Sequence, residues 1–215
     1  MGFQAYNSAP LVLGHPVSNP ETVATAIRIG NPASKDRALD AIKESNGNID
    51  RIKDEDILKA IAMVANDLYD IYRENQVLGR RRKLLKDMER IFDETHNVDV
   101  ANTLAILEAN EHAIYDPPAV FDSNKAEILL STEERLREIY EAFPNEGKVV
   151  LGYSYLVSWN YVTWLDFPRP IDEELIPLFK KWIRKFPENK LELMEYYSFI
   201  LFEKWLYGRK IGGLD

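Results

Sequence analysis

Apolar positions fall into short runs near the start of the chain and into helix-spaced stripes afterwards. Pro10-Leu11-Val12-Leu13-Gly14 is a compact apolar run closed by glycine, which predicts a short buried strand. Pro10 and Pro16 bound it, because proline cannot donate to a strand ladder. Asn19-Pro20-Glu21 reads as a helix start, with a capping Asn, proline at the first helical position and an acidic first turn. Val23, Ile27 and Ile29 would form that helix's apolar face, and Gly30 its left-handed end. Asn31-Pro32-Ala33-Ser34 opens a second helix, capped by Ser34, with Ala38, Ala41 and Ile42 inward and Asn46-Gly47 as its stop. Asn48 to Lys53 predicts an extended segment. Asp54-Glu55-Asp56 starts a third helix by side-chain capping and favourable charge at the positive end of the dipole. Its apolar face, Ile57, Leu58, Ile61, Val64, Leu68, Ile71 and Tyr72, runs to about Gln76 or Gly79.

Beyond it the helical spacing continues. Leu84, Leu85, Met88 and Ile91 form an inward stripe beneath the basic run Arg80 to Lys86. Asp116-Pro117-Pro118 is a break, since two prolines cannot sit inside a helix. Residues 121 to 130 follow as a loop or short helix. Ser131-Thr132-Glu133-Glu134 has the form of a capping box, starting a helix that buries Leu136, Ile139, Tyr140 and Phe143. Pro144 to Gly147 is a turn. Three apolar segments, 148–166, 172–186 and 188–207, are then joined by Pro168-Arg169-Pro170 and Pro187-Glu188-Asn189. Leu175, Leu178, Phe179, Trp182, Ile183 and Phe186 mark one amphipathic face, and Leu191, Met194, Tyr197, Ile200, Leu201 and Trp205 the next. Short proline-bearing joints between helices predict an antiparallel bundle or helix-pair array.

Composition narrows what such a chain does. Of its 215 residues 46% are hydrophobic and 29% charged, ordinary values for a globular protein. A net charge of −8 weighs against a broad phosphate-binding surface, so Arg80-Arg81-Arg82-Lys83 predicts a solvated helix face and no nucleic acid partner. Val149 to Leu165 is uncharged but short of a membrane span, and Ser154, Ser158, Asn160 and Thr163 interrupt it. A buried helix is the expectation. The absence of cysteine excludes disulfides and thiolate chemistry and fits a reducing cytoplasm.

Candidate chemistry is sparse. Asp93-Glu94-Thr95-His96 and Glu108 to His112 pair acids with histidines, and Glu108 and His112 share a helix face. Without paired Glu-x-x-His repeats these predict solvated helix ends and no metal site. Tyr153, Tyr155, Trp159, Tyr161 and Trp164 could line a groove, but large aromatics at helical spacing predict core. No residue is assigned as catalytic, cofactor-binding or metal-binding.

One stretch is far more specific than the rest. Pro20 through Ser34, together with Gly2 to Ala5, Ala9 to Gly14, Pro16-Val17, Glu44-Ser45, Gly47, Ile49, Asp54 to Leu58 and Ala60, resembles threonine synthase. That family is pyridoxal-phosphate-dependent and belongs to the tryptophan-synthase β-like group. The resemblance implies an origin in the later part of the family's large α/β domain. It also implies the conversion of O-phosphohomoserine to threonine in threonine biosynthesis. Such chemistry needs a lysine Schiff base and a backbone cradle for the cofactor phosphate. In the family both come from outside the matched segment. Its Glu-Pro-Ala-Ser run and Thr-Gly-His-Gly-type motif are not in this sequence, and the one Gly-Gly, Gly212-Gly213, precedes no helix. Ser34-Lys35-Asp36-Arg37 is similar to the surroundings of the family's cofactor lysine, but its flanks place Lys35 elsewhere in the pattern, on a polar helix start.

These readings combine into a mainly α chain: an N-terminal fragment of a pyridoxal-phosphate-dependent α/β domain followed by a helical, bundle-like region. Residues 1–60 form the threonine-synthase-like segment, 61–130 a helical connector broken at Pro117-Pro118, and 131–215 an aromatic-rich helical region. Met1 would stand at an internal methionine of a synthase frame that joins a different helical sequence near residue 61. The cofactor is implied by resemblance alone, and the isolated chain is expected not to bind it and to be inactive. The other expectation is a helical interaction module whose partner is a second copy or another protein. Residues 1 to 20 are expected to be poorly anchored, with stability carried after residue 54.

Overall fold

The first strand is Gly2–Ala5 (β1), which ends before the apolar run Pro10 to Gly14 that predicted one begins. The computed structural model describes residues 1–112, 123–163 and 171–211. The proline break at 117–118, Trp164 and Gly212-Gly213 lie outside these. The chain divides into two compact units, Met1–Val64 and Ala65–Asp215.

In the first unit β1 pairs in parallel with Ile49–Ile52 (β2), Gly2 opposite Ile49 and Ala5 opposite Ile52. A parallel pair needs a long crossover, which residues 6 to 48 supply. Pro10–Leu13 is not a strand but one helical turn, α1. Its free amides decide the matter: Gln4 Oε1 accepts from the Leu11 and Val12 N–H groups at 2.9 and 3.4 Å. Proline suits the first helical position, and Gly14 closes the turn at φ +76°. Ala5, Ser8, Ala9 and Pro10 are buried, so residues 5–10 are anchored against the expectation for 1–20, whereas Leu13 to Pro16, Ser18 and Asn19 are exposed.

The helix expected from Pro20 to Ile29 does not form. Only Thr25–Ile27 makes a 3-10 turn. The backbone here is engaged at long range instead. The Glu21 N–H donates to the Asn7 carbonyl at 3.3 Å, while Asp54 accepts from the Thr22 hydroxyl at 2.6 Å and the Val23 N–H at 3.1 Å. Val23, Ile27 and Ile29 consequently stay exposed. Gly30 is required by proximity and not by a left-handed end: a Cβ there would lie 2.1 Å from the Val17 carbonyl oxygen.

Lys35–Glu44 (α2) starts after Ser34, whose side chain makes no capping bond, and buries no residue. Ala38 and Ile42 are half-buried, whereas Ala41 is exposed. Asn46 at φ +48° and the Gly47 N–H bonded to the Ile42 carbonyl end it as predicted. Asp54–Glu74 (α3) begins at the acidic triplet. Because Asp54 both opens α3 and ties down Thr22 and Val23, Asp54→Ala is expected to destabilise this unit by about 2 kcal/mol in denaturant unfolding.

The second unit is helical. Leu78–Thr95 (α4) turns Leu85 and Met88 inward, as its spacing predicts, and Val98–His112 (α5) follows. Ser123–Ala142 (α6) runs straight through Ser131 to Glu134. The apparent capping box is therefore mid-helix, with Thr132 and Glu133 buried, because no glycine or proline between 123 and 130 interrupts the turns. Gly147–Thr163 (α7), Ile176–Lys185 (α8) and Lys190–Ile211 (α9) complete it, with a π turn at Ile171–Leu175 leading into α8.

α7 is the central helix, packed by α5, α6 and α9. Its approach to α5 is tight: a Cβ at Gly152 would lie 2.4 Å from the Ala105 carbonyl oxygen. Val149, Val150, Tyr153, Leu156 and Val157 are buried, so this uncharged stretch is core. No described helix is long and apolar enough to cross a membrane. Trp182 is the hub of an aromatic cluster, with Tyr140, Tyr153 and Phe179 rings at 5.5, 5.8 and 5.2 Å. On α9 the predicted face is partly wrong. Leu193 and Ile200 are buried, whereas Leu191 is 81% exposed and Met194, Leu201 and Trp205 also face outward.

Candidate functional site

Lys35, the residue that imitates a cofactor lysine, sits at the first position of α2 and donates from Nζ to the Gly14 carbonyl at 3.1 Å in an exposed setting. A Schiff-base lysine must present a lone pair in a dry pocket beside a phosphate cradle. These surroundings do not fit pyridoxal phosphate. Nearby, Tyr6, Asn7, Leu13, Val17, Glu21 and Arg51 are among the residues lining an open cleft of about 530 Å³. Its one arginine is already engaged, with the guanidinium 4.2 Å over the Tyr6 ring.

In the second unit the basic run on α4 is partly neutralised. Lys83 bonds Asp87 at 2.7 Å, and Arg81 reaches Glu111 on α5 through both Nε and a 3.1 Å bond from its terminal nitrogen. The Tyr69 hydroxyl donates to the same carboxylate at 3.0 Å. Burial, and then the adjacent Glu111 charge, raise the Tyr69 phenol well above its ordinary value, so it acts as a fixed donor.

Glu108 is buried, not at a solvated helix end as expected. It faces Glu89 of α4, with which it shares a hydrogen bond. Burial, then the Glu108 charge, push the Glu89 carboxyl up; Arg135 of α6, 3.6 Å away, pulls it down, and Asp93 adds to the rise. A carboxyl raised by folding binds its proton more tightly in the native state. Its contribution is therefore full below the ordinary value of 4.5 and is lost as pH rises through the shifted one. Glu89→Gln is expected to flatten that decline, raising stability at pH 7 relative to the native chain in pH-dependent denaturant melts.

The other acid–histidine grouping is also structural. Asp93 pairs with Arg135 at 3.1 Å, and His96 stacks on Phe92 where α4 ends. The His112 side chain lies outside the described residues. Among the described residues no group of three or more His, Asp and Glu side chains could hold a metal ion.

A partly open cleft between α5, α7 and α9 measures about 390 Å³. α5 supplies Ile106, Ala109 and Asn110, α7 Leu151, Gly152 and Tyr155, and α9 Glu195, Tyr196 and Phe199. The Tyr155 and Tyr196 rings pack against each other in its wall, with centroids 5.1 Å apart. Burial, then Tyr155, Glu195 and Glu192, push the Tyr196 hydroxyl up to about 12. Sequence spacing flagged Tyr155 but not Tyr196, Glu195 or Asn110, because these come from helices far apart in the chain. Tyr153, two residues before Tyr155 and so on the other side of α7, is core.

Comparison with known proteins places the similarity in part of the chain. It is 55% identical to threonine synthase of Synechocystis sp. over 65 residues, 30% of this chain and 17% of that one. Threonine synthase of Mycobacterium tuberculosis is likewise 55% identical over 65 residues, 30% of this chain and 18% of that one. That of Bacillus sp. is 52% identical over 128 residues, 59% of this chain and 34% of that one. The 65-residue matches agree in length with the first compact unit, whereas the Bacillus match is longer than the first 60 residues can hold. The chain spans about a third or less of the length of these curated relatives. No family model matches it, and no solved structure matches it significantly. A threonine-synthase segment is thus present in a mainly α-helical chain.

Proposed function

We propose that residues 1–60 are a threonine-synthase-like piece of an α/β domain that serves here as folded scaffold, and that this chain alone does not make threonine. The observation that carries the reading is Lys35, whose amine is spent on an exposed backbone carbonyl. Positioning a cofactor accounts for much of such an enzyme's catalysis, and a surface lysine on a polar helix start supplies none of it. The matches differ in length, 65 against 128 residues. A join near residue 61 suits the 65-residue matches, and one further along suits the Bacillus match. Pyridoxal phosphate belongs to this chain by kinship only, and a cytoplasmic location follows from the same kinship. Inorganic phosphate release from O-phosphohomoserine with added pyridoxal phosphate tests the reading. Release no faster than without protein is expected; cofactor-dependent turnover, abolished by heating the protein, would overturn it.

A second reading has its own observation. Leu191, Met194, Leu201, Phe202 and Trp205 leave α9 with an exposed apolar row, the kind of surface that marks a protein contact. On that reading the helical unit is an interaction module with a protein partner or a second copy. The neutralised Arg81 and Lys83 and the chain's acidity argue against nucleic acid. Light scattering should give a mass above one chain that Phe202→Glu reduces; a monomer with no change on substitution counts against self-association.

A further inference from the structure

We propose that the cleft between α5, α7 and α9 is a binding site for a small organic cation of the quaternary or alkylammonium class. Its volume, about 390 Å³, lies in the range of small-molecule pockets. Two tyrosine rings, Tyr155 and Tyr196, stand 5.1 Å apart and inclined by 33°, so they form one aromatic wall. Phe199 lies one turn beyond Tyr196 on the same helix, and the Glu195 carboxylate stands beside them.

Each ring presents a negative π face, and a carboxylate adds a full negative charge. Among the described residues the lining contains no lysine or arginine. Glu195 and Glu192 on α9 are the carboxylates that bear on the Tyr196 hydroxyl. The Glu195 carboxylate would repel an anion, and a neutral apolar ligand would gain nothing from it. A cation with a methylated or alkyl shell satisfies both, because it keeps dispersion contact with the rings while meeting the charge. Asn110 on the opposite wall adds a donor and acceptor for a polar tail such as a hydroxyl.

Choline is the probe, set against its neutral isostere 3,3-dimethyl-1-butanol, with the full chain observed by NMR through its tyrosine ring resonances. Choline should bind saturably and shift Tyr155 and Tyr196, while the isostere binds about tenfold more weakly. Glu195 is exposed, so Glu195→Gln should fold, which helical circular dichroism checks; it should weaken choline by several-fold and leave the isostere unchanged. Three results would overturn the proposal. They are equal binding of choline and isostere, no saturable choline binding up to about 10 mM, or choline shifts that leave both tyrosines unmoved. The wild-type comparison needs no variant, so it stands even if Glu195→Gln misfolds.

Discussion

Trp182→Ala is expected to destabilise the helical unit by about 4 kcal/mol, the largest effect of any single substitution considered. Trp182 is fully buried, and its indole N–H donates to the Tyr140 hydroxyl at 3.2 Å. Truncation removes the largest apolar side chain of the core and leaves a cavity bounded by Tyr140, Tyr153 and Phe179. It also strips Tyr140 of a donor. Because those neighbours sit on three different helices, α6, α7 and α8, collapse into the space would require several helices to move. Trp182→Phe keeps most of the volume and should cost well under half as much. Chemical denaturation followed by far-UV circular dichroism checks both. A loss below about 1 kcal/mol for the alanine variant would contradict this packing.

Arg81→Leu comes next, at about 3 kcal/mol. The Glu111 side chain is only 8% exposed, and Arg81, at 20%, is its one cationic partner among the described contacts. Removing the arginine leaves a carboxylate out of water with the Tyr69 hydroxyl as its remaining donor. Replacing both charges should recover most of the loss, since an apolar pair carries no desolvation debt. Arg81→Leu with Glu111→Leu is therefore expected to be within about 1 kcal/mol of the native chain. Denaturant midpoints of the two single variants and the double variant form the cycle that measures the coupling.

What the sequence made legible, and what it hid, follows from how many residues a local pattern must constrain. The start of α3 was readable because Asp54-Glu55-Asp56 acts within its own turn, and so was the inward face of α4, where Leu85 and Met88 stand out against charged neighbours. Pro10–Leu13 was not, because four apolar residues suit a strand and a helical turn equally, and the deciding contact is the distant Gln4 side chain. Pro20 to Ile29 carries local helix signals that lose to Asp54 and Asn7. On α9 apolar residues surround the helix, so periodicity cannot separate buried Leu193 from exposed Leu191 and Met194. The segment Pro20 to Ser34 was legible as kinship and misread as structure. The tyrosine–glutamate cleft was hidden for a different reason, as its walls come from helices 40 or more residues apart in the chain.

The scaffold reading of the first unit is tested most directly at Lys35. Incubation of the chain with pyridoxal phosphate, borohydride reduction and peptide mass spectrometry locate any Schiff base formed. Sparse pyridoxyl labelling spread over exposed lysines is expected, unchanged elsewhere by Lys35→Ala. Stoichiometric label confined to Lys35, with an absorbance that Lys35→Ala abolishes, would contradict it.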